Sequence, residues 1–413
     1  MARLAGALRA RGVEHGDRVA MLADNSDRYV EYYFATLWAG GVILPINTRW
    51  STAEVSGCIA DAEPRLIIAD DKYFEVATTI GTEQRLRVPA LATSDWDAVI
   101  AESAAVEDAR RSGEDLAALF YTGGTTGRAK GVMLCHRNFF ANSMMHIANL
   151  GLTGRDAVHL HVSPMFHVAG GARLFSVTMA GATHAVLPNF EPDAFLSAVE
   201  RHRVTVTVVV PTVLNRLVAH DDLDRYDLSS LRLLSYGASP MPESLLQRAM
   251  QRMPNIAFLQ SYGMTELSPV ATMLLPQYHA FEGPTRGTRG LPGSPCSNAE
   301  VVIMDANDVI VGPHVVGEVC VRGPMVMQGY WRAPQATAAA VRDGFMHTGD
   351  AGYLDERGFL FLVDRVKDMI ITGGENVYSV EVENVLYQHP SVHECAVIGI
   401  PSDAWGEAVH AIV

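Results

Sequence analysis

The chain is short of the features that mark several protein classes. Its five cysteines, Cys58, Cys135, Cys296, Cys320 and Cys395, are scattered and form no CxxC pair. That spacing suits neither a disulfide framework nor a thiolate metal site and reads as reduced, cytosolic thiols. Positive charge is also scarce: 32 Lys and Arg face 46 Asp and Glu, for a formal net charge of -14. A surface of that sign opposes unaided binding to nucleic acid or to anionic membrane. The most apolar run, residues 204–214, is too short to span a bilayer and contains threonines and Pro211. Residues 1–12 lack the pattern of a signal peptide, because Leu4 and Leu8 lie four apart between arginines, as in an amphipathic helix. There is no internal repeat and no low-complexity segment. These absences predict a cytoplasmic protein without a transmembrane segment.

What is present is enough apolar residue for a large core. With 413 residues, 48% hydrophobic and 19% charged, two or three domains or subdomains are expected. Short apolar runs alternate with longer helical stretches, which argues for α/β layering. Strands are expected at 18–22, 66–69, 116–121, 185–187, 205–210 and 231–235, and helices at 29–39, 139–149, 191–202 and 242–253. Gly12 and Gly40 stand where helices would be capped. From about Gly287 the texture becomes β-rich, with segments 300–304, 317–322 and 358–362 between Gly, Pro and Asp turns. Near Lys367 it changes again to strand (369–372), Gly-Gly turn, helix (379–388) and strand (392–400).

The sharpest local signal is Tyr121-Thr122-Gly123-Gly124-Thr125-Thr126-Gly127-Arg128-Ala129-Lys130-Gly131. Its glycines let backbone N–H groups approach an anion, its threonines add donors, and Lys130 adds a compact charge suited to terminal phosphates. It is not a GxxxxGK[ST] loop, since Gly131 follows the lysine and no glycine directly precedes it. It is not a dinucleotide GxGxxG loop either.

This stretch resembles the YTSGTTGxPKG signature of the adenylate-forming superfamily of acyl-CoA synthetases, aryl-CoA ligases, luciferases and peptide-synthetase adenylation domains. Gly123 replaces the usual Ser and Ala129 the usual Pro. Further elements follow in the family's order. Gln260-Ser261-Tyr262-Gly263-Met264-Thr265-Glu266 is similar to the YGxTE element. By resemblance Tyr262 would stack on adenine, with Gly263 and Met264 beside it. Thr265 would meet the phosphates, and Glu266 would hold Mg²⁺. Gly237-Ala238-Ser239 resembles the turn lining the adenine and the acyl pocket. Gly317-Glu318 through Gly329-Tyr330 to Thr337 matches a stretch that the resemblance makes mainly structural. Asp350, in Thr348-Gly349-Asp350, would accept from the ribose hydroxyls, and Arg365 would contact ribose or phosphate.

The resemblance covers nearly the whole chain. It implies an α/β fold in which 1–366 is an N-terminal AMP-binding domain of two layered α/β subdomains plus a small β-rich part (287–366). Residues 367–413 would begin a small α+β C-terminal domain, which turns about a hinge at Lys367. In its second position Gly373, Gly374 and Glu375 would line the path of coenzyme A, with Trp405 touching it. The implied reaction joins a small-molecule carboxylic acid to coenzyme A through an acyl-AMP. It would use ATP and Mg²⁺, with Lys130, Thr265, Glu266 and His167 as the residues nearest the chemistry.

His167, in Phe166-His167-Val168-Ala169-Gly170-Gly171, stands where amino-acid-activating relatives carry an Asp, which disfavours a peptide-synthetase domain. The small residues Ala169, Gly170 and Gly171, with Gly237 and Gly263, would leave room for a long or bulky tail. A fatty acid is therefore the first expectation and an aryl or arylpropenoic acid the second. A nucleotide-binding protein without turnover is the alternative of another class. Because relatives carry a late lysine beyond this end and more chain before the start, a partial sequence is also expected. A homodimer is compatible with all of this.

Overall fold

The computed structural model describes residues 1–84, 91–123, 129–152, 156–279, 294–295, 298–365, 369–372, 375–387, 389, 391–392, 394–402 and 405–413. The chain packs as two compact units. One comprises Met1–Val208, Thr265–Pro269 and Pro324–Ala339; the other comprises Val209–Met264, Val270–Gly323 and Ala340–Val413.

The first unit is built on a seven-stranded sheet. From one edge its strands run Gly329–Tyr330, Lys130–Cys135, Leu116–Thr122, Val42–Pro45, Arg18–Leu22, Leu66–Ala69 and Leu91–Ala92. The last five pair in parallel and are almost wholly apolar, as strands covered on both faces must be. The first two pair antiparallel with their neighbours. Three further parallel strands, Val158–His161, Thr183–Val186 and Val206–Val209, lie side by side.

The helices start and stop for local reasons. Ser26 accepts a hydrogen bond from the backbone N–H of Tyr29 to open the helix Asp27–Ala39, and Gly40, at φ 89°, closes it. Ser51 and Glu54 form a reciprocal capping box on Thr52–Ala62. Tyr29, Tyr32 and Tyr33 all turn inward from the first of these helices. Tyr32 donates to the Val19 carbonyl at 2.6 Å and Tyr33 to that of Met165 at 2.7 Å, which ties the helix to the sheet and to the segment preceding His167.

In the second unit Leu233–Gly237 runs parallel to Ala257–Tyr262, with Thr272–Leu274 antiparallel beside it. An antiparallel sheet joins Glu300–Met304, Gly317–Arg322, Phe345–Leu354, Val341–Arg342 and Leu360–Arg365. A four-stranded sheet holds Glu375–Val377, Ile370–Thr372, Gly406–Ile412 and Ala396–Ser402, with the helix Ser379–Leu386 in the same region.

The fold is the layered α/β architecture expected from the sequence, and several strands begin within a residue or two of their expected positions. The strand expected at 358–362 lies instead at Leu360–Arg365. Asp355 accepts from the N–H groups of Arg357 and Phe359, and Gly358 takes φ 79°, so these residues make the turn before it. The strand expected at 392–400 lies at Ala396–Ser402. Among the described residues no helix is long and apolar enough to cross a membrane.

Candidate active site

The glycine- and threonine-rich loop is the crown of a hairpin. Thr122 ends one strand, Lys130 begins the next, and the two face each other in antiparallel register. Gly124, Thr125, Thr126 and Gly127 lie between them, outside the described residues. The base of the hairpin is packed tightly. Tyr121 donates to Asp61 at 2.5 Å, and Trp331 donates its backbone N–H to the Gly131 carbonyl at 2.7 Å. A Cβ on Gly131 would sit 3.0 Å from the Tyr121 ring, so that glycine is needed for close approach.

Beside this hairpin runs Gly329–Tyr330, paired to Val132 and Met133. Its tyrosine links two predicted site residues. Lys130 Nζ stands 5.0 Å from the centroid of the Tyr330 ring, and the Tyr330 hydroxyl donates to Glu266 Oε1 at 2.7 Å. Glu266 and Thr265 lie in the 3-10 turn Thr265–Leu267, 5% and 7% exposed. The turn is anchored by Met327, whose N–H donates to the Glu266 carbonyl at 2.9 Å, and by Ser268, whose hydroxyl donates to the Met325 carbonyl at 2.8 Å. Sequence reasoning gives Tyr330 no role beyond a structural stretch. A signal for it exists, since Gly329-Tyr330 is the aromatic position of that motif. Gly329 takes φ 144°, and a Cβ there would meet the Thr337 side chain at 2.6 Å. Thr337 in turn accepts from the Tyr330 N–H at 2.8 Å, so the motif's last residue sets its tyrosine.

His167 precedes the helix Val168–Met179, and its Nδ1 accepts from the Ala169 N–H at 3.3 Å. The residue is partly exposed, yet desolvation by the surrounding protein, and then the charge of Arg49, lower its pKa. The glycines that follow do not open space. A Cβ on Gly170 would lie 2.3 Å from the Pro164 carbonyl oxygen, and one on Gly171 would lie 2.2 Å from the Tyr33 hydroxyl. Backbone and a buried tyrosine occupy those positions, so these residues are small for packing reasons.

The second unit gathers another set. Tyr262 donates to Asp350 Oδ2 at 2.7 Å, and Arg365, the register partner of Asp350, brings Nε to 3.6 Å from Oδ1. Burial raises the Asp350 pKa, and the Tyr262 hydrogen bond and the Arg365 charge oppose the shift. The turn presenting Asp350 is held by Glu318, which accepts from the Gly349 N–H at 3.0 Å and lies 2.8 Å from His347 Nδ1. Glu318, Cys320 and His347 cluster as metal ligands can, but Arg342 Nη2 stands 2.7 Å from the same His347 nitrogen. A guanidinium there takes the place of a cation, and the cluster serves as scaffold for Asp350.

A Cβ on Gly237 would sit 2.3 Å from the Ser261 carbonyl oxygen, so it too is small because backbone passes close. Ala238, at φ 69°, and Ser239 are exposed after it, while Gly263 and Met264 are half-buried. Trp405 is 61% exposed. Glu375 lies in the strand Glu375–Val377, whereas Lys367, Gly373 and Gly374 fall outside the described residues. Lys130 and Glu266 are therefore brought together in one unit, and Tyr262, Asp350 and Arg365 in the other.

Comparison with known proteins gives the class. The profile of AMP-binding enzymes matches residues 1–331, and that of the AMP-binding enzyme C-terminal domain matches 381–413. A feruloyl-CoA synthase from Amycolatopsis sp is 40% identical, over all of this chain and 81% of its own length. A fatty acid–[acyl-carrier-protein] ligase, ScoC, from Streptomyces coeruleorubidus is 36% identical, over all of this chain and 81% of its own. The crystal structure of ATP-bound MatB from Rhodopseudomonas palustris superposes with a TM-score of 0.90 at 34% identity, covering 99% of this chain and 80% of that one. The chain belongs to the AMP-binding enzyme family, in the adenylate-forming superfamily, and is an AMP-forming acid–CoA ligase. Its reaction is the ATP-dependent ligation of a carboxylic acid to coenzyme A.

Proposed function

We propose that the acid is an aryl or arylpropenoic acid, activated as its acyl-AMP and then passed to the thiol of coenzyme A. The observation that carries the adenylation step is the trio Lys130, Tyr330 and Glu266. Among the described residues Lys130 makes no ion pair, so its charge is free for a polyphosphate, while Tyr330 orients a buried carboxylate one ring away. A hard carboxylate oxygen suits Mg²⁺, which when bound would neutralise phosphate charge. Lys130, Thr265 and the loop residues Thr122, Gly123, Gly124, Thr125, Thr126 and Gly127 would hold the triphosphate in line for attack by the acid carboxylate. Tyr262, with the Gly237-Ala238-Ser239 turn, would take the adenine. Asp350, set by Tyr262 and Arg365, would take the ribose.

Coenzyme A would enter after residues 367–413, read as a separate domain, turn about Lys367. Gly373, Gly374 and Glu375 would then line its path, and exposed Trp405 would touch it. Two observations favour an aryl acid over the fatty acid that the sequence puts first. Feruloyl-CoA synthase stands above the fatty-acid ligase in identity. In addition, Gly170, Gly171 and Gly237 are small because backbone or Tyr33 crowds them, which removes the argument for a long tail.

The test is CoA- and carboxylate-dependent AMP release across fatty acids of graded length and arylpropenoic acids. Turnover confined to aryl acids is expected. A preference for long-chain acids would overturn the substrate assignment, and AMP release with no acid would overturn the mechanism.

A further inference from the structure

Asp61 stands where a helix disfavours a carboxylate. It is the last residue but one of the helix Thr52–Ala62, and the partial negative charge at a helix C-terminus repels an anion. The helix end itself is served by cations. Arg18 donates to the Ala62 and Glu63 carbonyls, both at 2.8 Å, and Arg332 to the Asp61 carbonyl at 3.2 Å. The acidic side chain therefore has another task. Its Oδ2 accepts from the Tyr121 hydroxyl at 2.5 Å, although 60 residues separate the two in the chain. Burial, and then this hydrogen bond, raise the Tyr121 pKa, so the phenol keeps its proton and is the donor.

The same residue also meets the strand that carries Tyr330. Its backbone carbonyl accepts from Trp331 Nε1 at 3.1 Å. Trp331 follows Tyr330 directly, and its own N–H holds the Gly131 carbonyl at 2.7 Å. Two guanidinium groups flank the indole, Arg18 at 5.3 Å and Arg332 at 5.4 Å from its centroid, and Glu63 fixes Arg332 in turn. Tyr121 and Gly131 are register partners at the base of the glycine- and threonine-rich loop. A Cβ on Gly131 would meet the Tyr121 ring at 3.0 Å, so that ring lies against the residue next to Lys130. Pinning the phenol pins the ring there, and with it the backbone that carries Lys130.

We propose that Asp61 is a positioning residue for adenylation: through the Tyr121 hydroxyl and the Trp331 indole it fixes the entry and the exit of the phosphate loop, so that Lys130 meets the triphosphate in one geometry. This rests on the reading of Lys130 as the partner of the triphosphate and deepens it. The helix Thr52–Ala62 then contributes to ATP binding without touching ATP. A loop held in its binding geometry has less freedom to lose when the ligand arrives, and that difference appears as affinity.

Titration calorimetry with MgATP, paired with thermal melting of the whole chain, tests the proposal on Asp61→Ala, Asp61→Asn, Tyr121→Phe and the double variant Asp61→Ala/Tyr121→Phe. Asp61→Ala should weaken MgATP binding by roughly three- to thirtyfold, the range for coupling through a packed network. Asp61→Asn keeps an oxygen for the phenol and should bind nearly as the native protein does. Tyr121→Phe should match Asp61→Ala, and the double variant should be no weaker than either, because all three lack the same bond. A purely structural role would lower the melting temperature of Asp61→Ala and leave its MgATP affinity, measured well below that temperature, unchanged. That result overturns the proposal, as do losses that add in the double variant or an Asp61→Asn as weak as Asp61→Ala. If Asp61→Ala does not fold, Asp61→Asn and Tyr121→Phe decide, and equal affinities for those two overturn it. Lys130→Ala is the control. If it binds MgATP like the native protein, the reading of Lys130 fails and this proposal with it; if it binds weakly while Asp61→Ala does not, this proposal alone fails.

Discussion

The Tyr330 hydroxyl donates to Glu266 at 2.7 Å, although 64 residues separate the two in the chain. Because the same ring lies 5.0 Å from Lys130 Nζ, one tyrosine contacts both the cation and the carboxylate that we propose serve the adenylation step.

Removing that hydroxyl should therefore affect both stability and nucleotide binding. Tyr330→Phe is expected to cost about 1–3 kcal/mol, the range for a lost hydrogen bond to a buried charge. It should also raise the KM for MgATP more than that for the acid. Urea unfolding and steady-state kinetics read the two effects, and an unchanged KM for MgATP would separate Tyr330 from the site.

Asp350 carries a pH signature whose sign follows from its raised pKa. Its ionised form is less favourable in the folded protein than in the unfolded chain, whose value lies near 3.8. The resulting cost is full above the raised folded value and vanishes below the unfolded one. Asp350→Asn, which keeps an oxygen for the Tyr262 hydroxyl, should melt higher than the native protein at pH 7. That advantage should shrink as the pH falls toward 3.8, while adenylation is lost throughout. A melting advantage that does not vary with pH would contradict the argument.

Gly171→Ala separates packing from pocket volume. Its Cβ would arrive 2.2 Å from the Tyr33 hydroxyl, which is buried and bonded to Met165. Relieving that overlap should cost about 1–3 kcal/mol of stability. If the residue is small to make room for substrate, the variant would instead unfold like the native protein and differ only in acid selectivity.

Trp405, at 61% exposure, has little packing to lose. Trp405→Ala should change stability by no more than about 0.5 kcal/mol. If the residue meets coenzyme A, thioester formation should fall roughly tenfold, in the range of a lost aromatic contact. Acid-dependent pyrophosphate exchange should hold. A parallel loss of both half-reactions would place Trp405 elsewhere in the mechanism.

Much of the fold is legible in the residues alone. The strands expected at 18–22 and 66–69 match the observed elements, because a short run of apolar residues ended by turn formers has few other ways to be buried. Lys130-Gly131 reads as the end of a phosphate loop but not as the start of the strand Lys130–Cys135, since the loop signal masks the apolar alternation after it. The strand Val158–His161 is hidden in the sequence because two of its four residues are histidines, and their burial depends on neighbours that only the folded chain supplies.

Residue types in order along this chain were enough to determine the α/β class and the family, and with it the likeness to enzymes that adenylate acids. Glycines, threonines and one lysine in a short span have a chemistry of their own, and that chemistry is local. Only the tertiary structure decided that Tyr330 joins Lys130 to Glu266, that Gly170 and Gly171 are small because Pro164 and Tyr33 crowd them, and that Asp61 meets Tyr121. Each of these depends on which distant segments come to lie within a few ångströms, and that is settled by packing across the whole core.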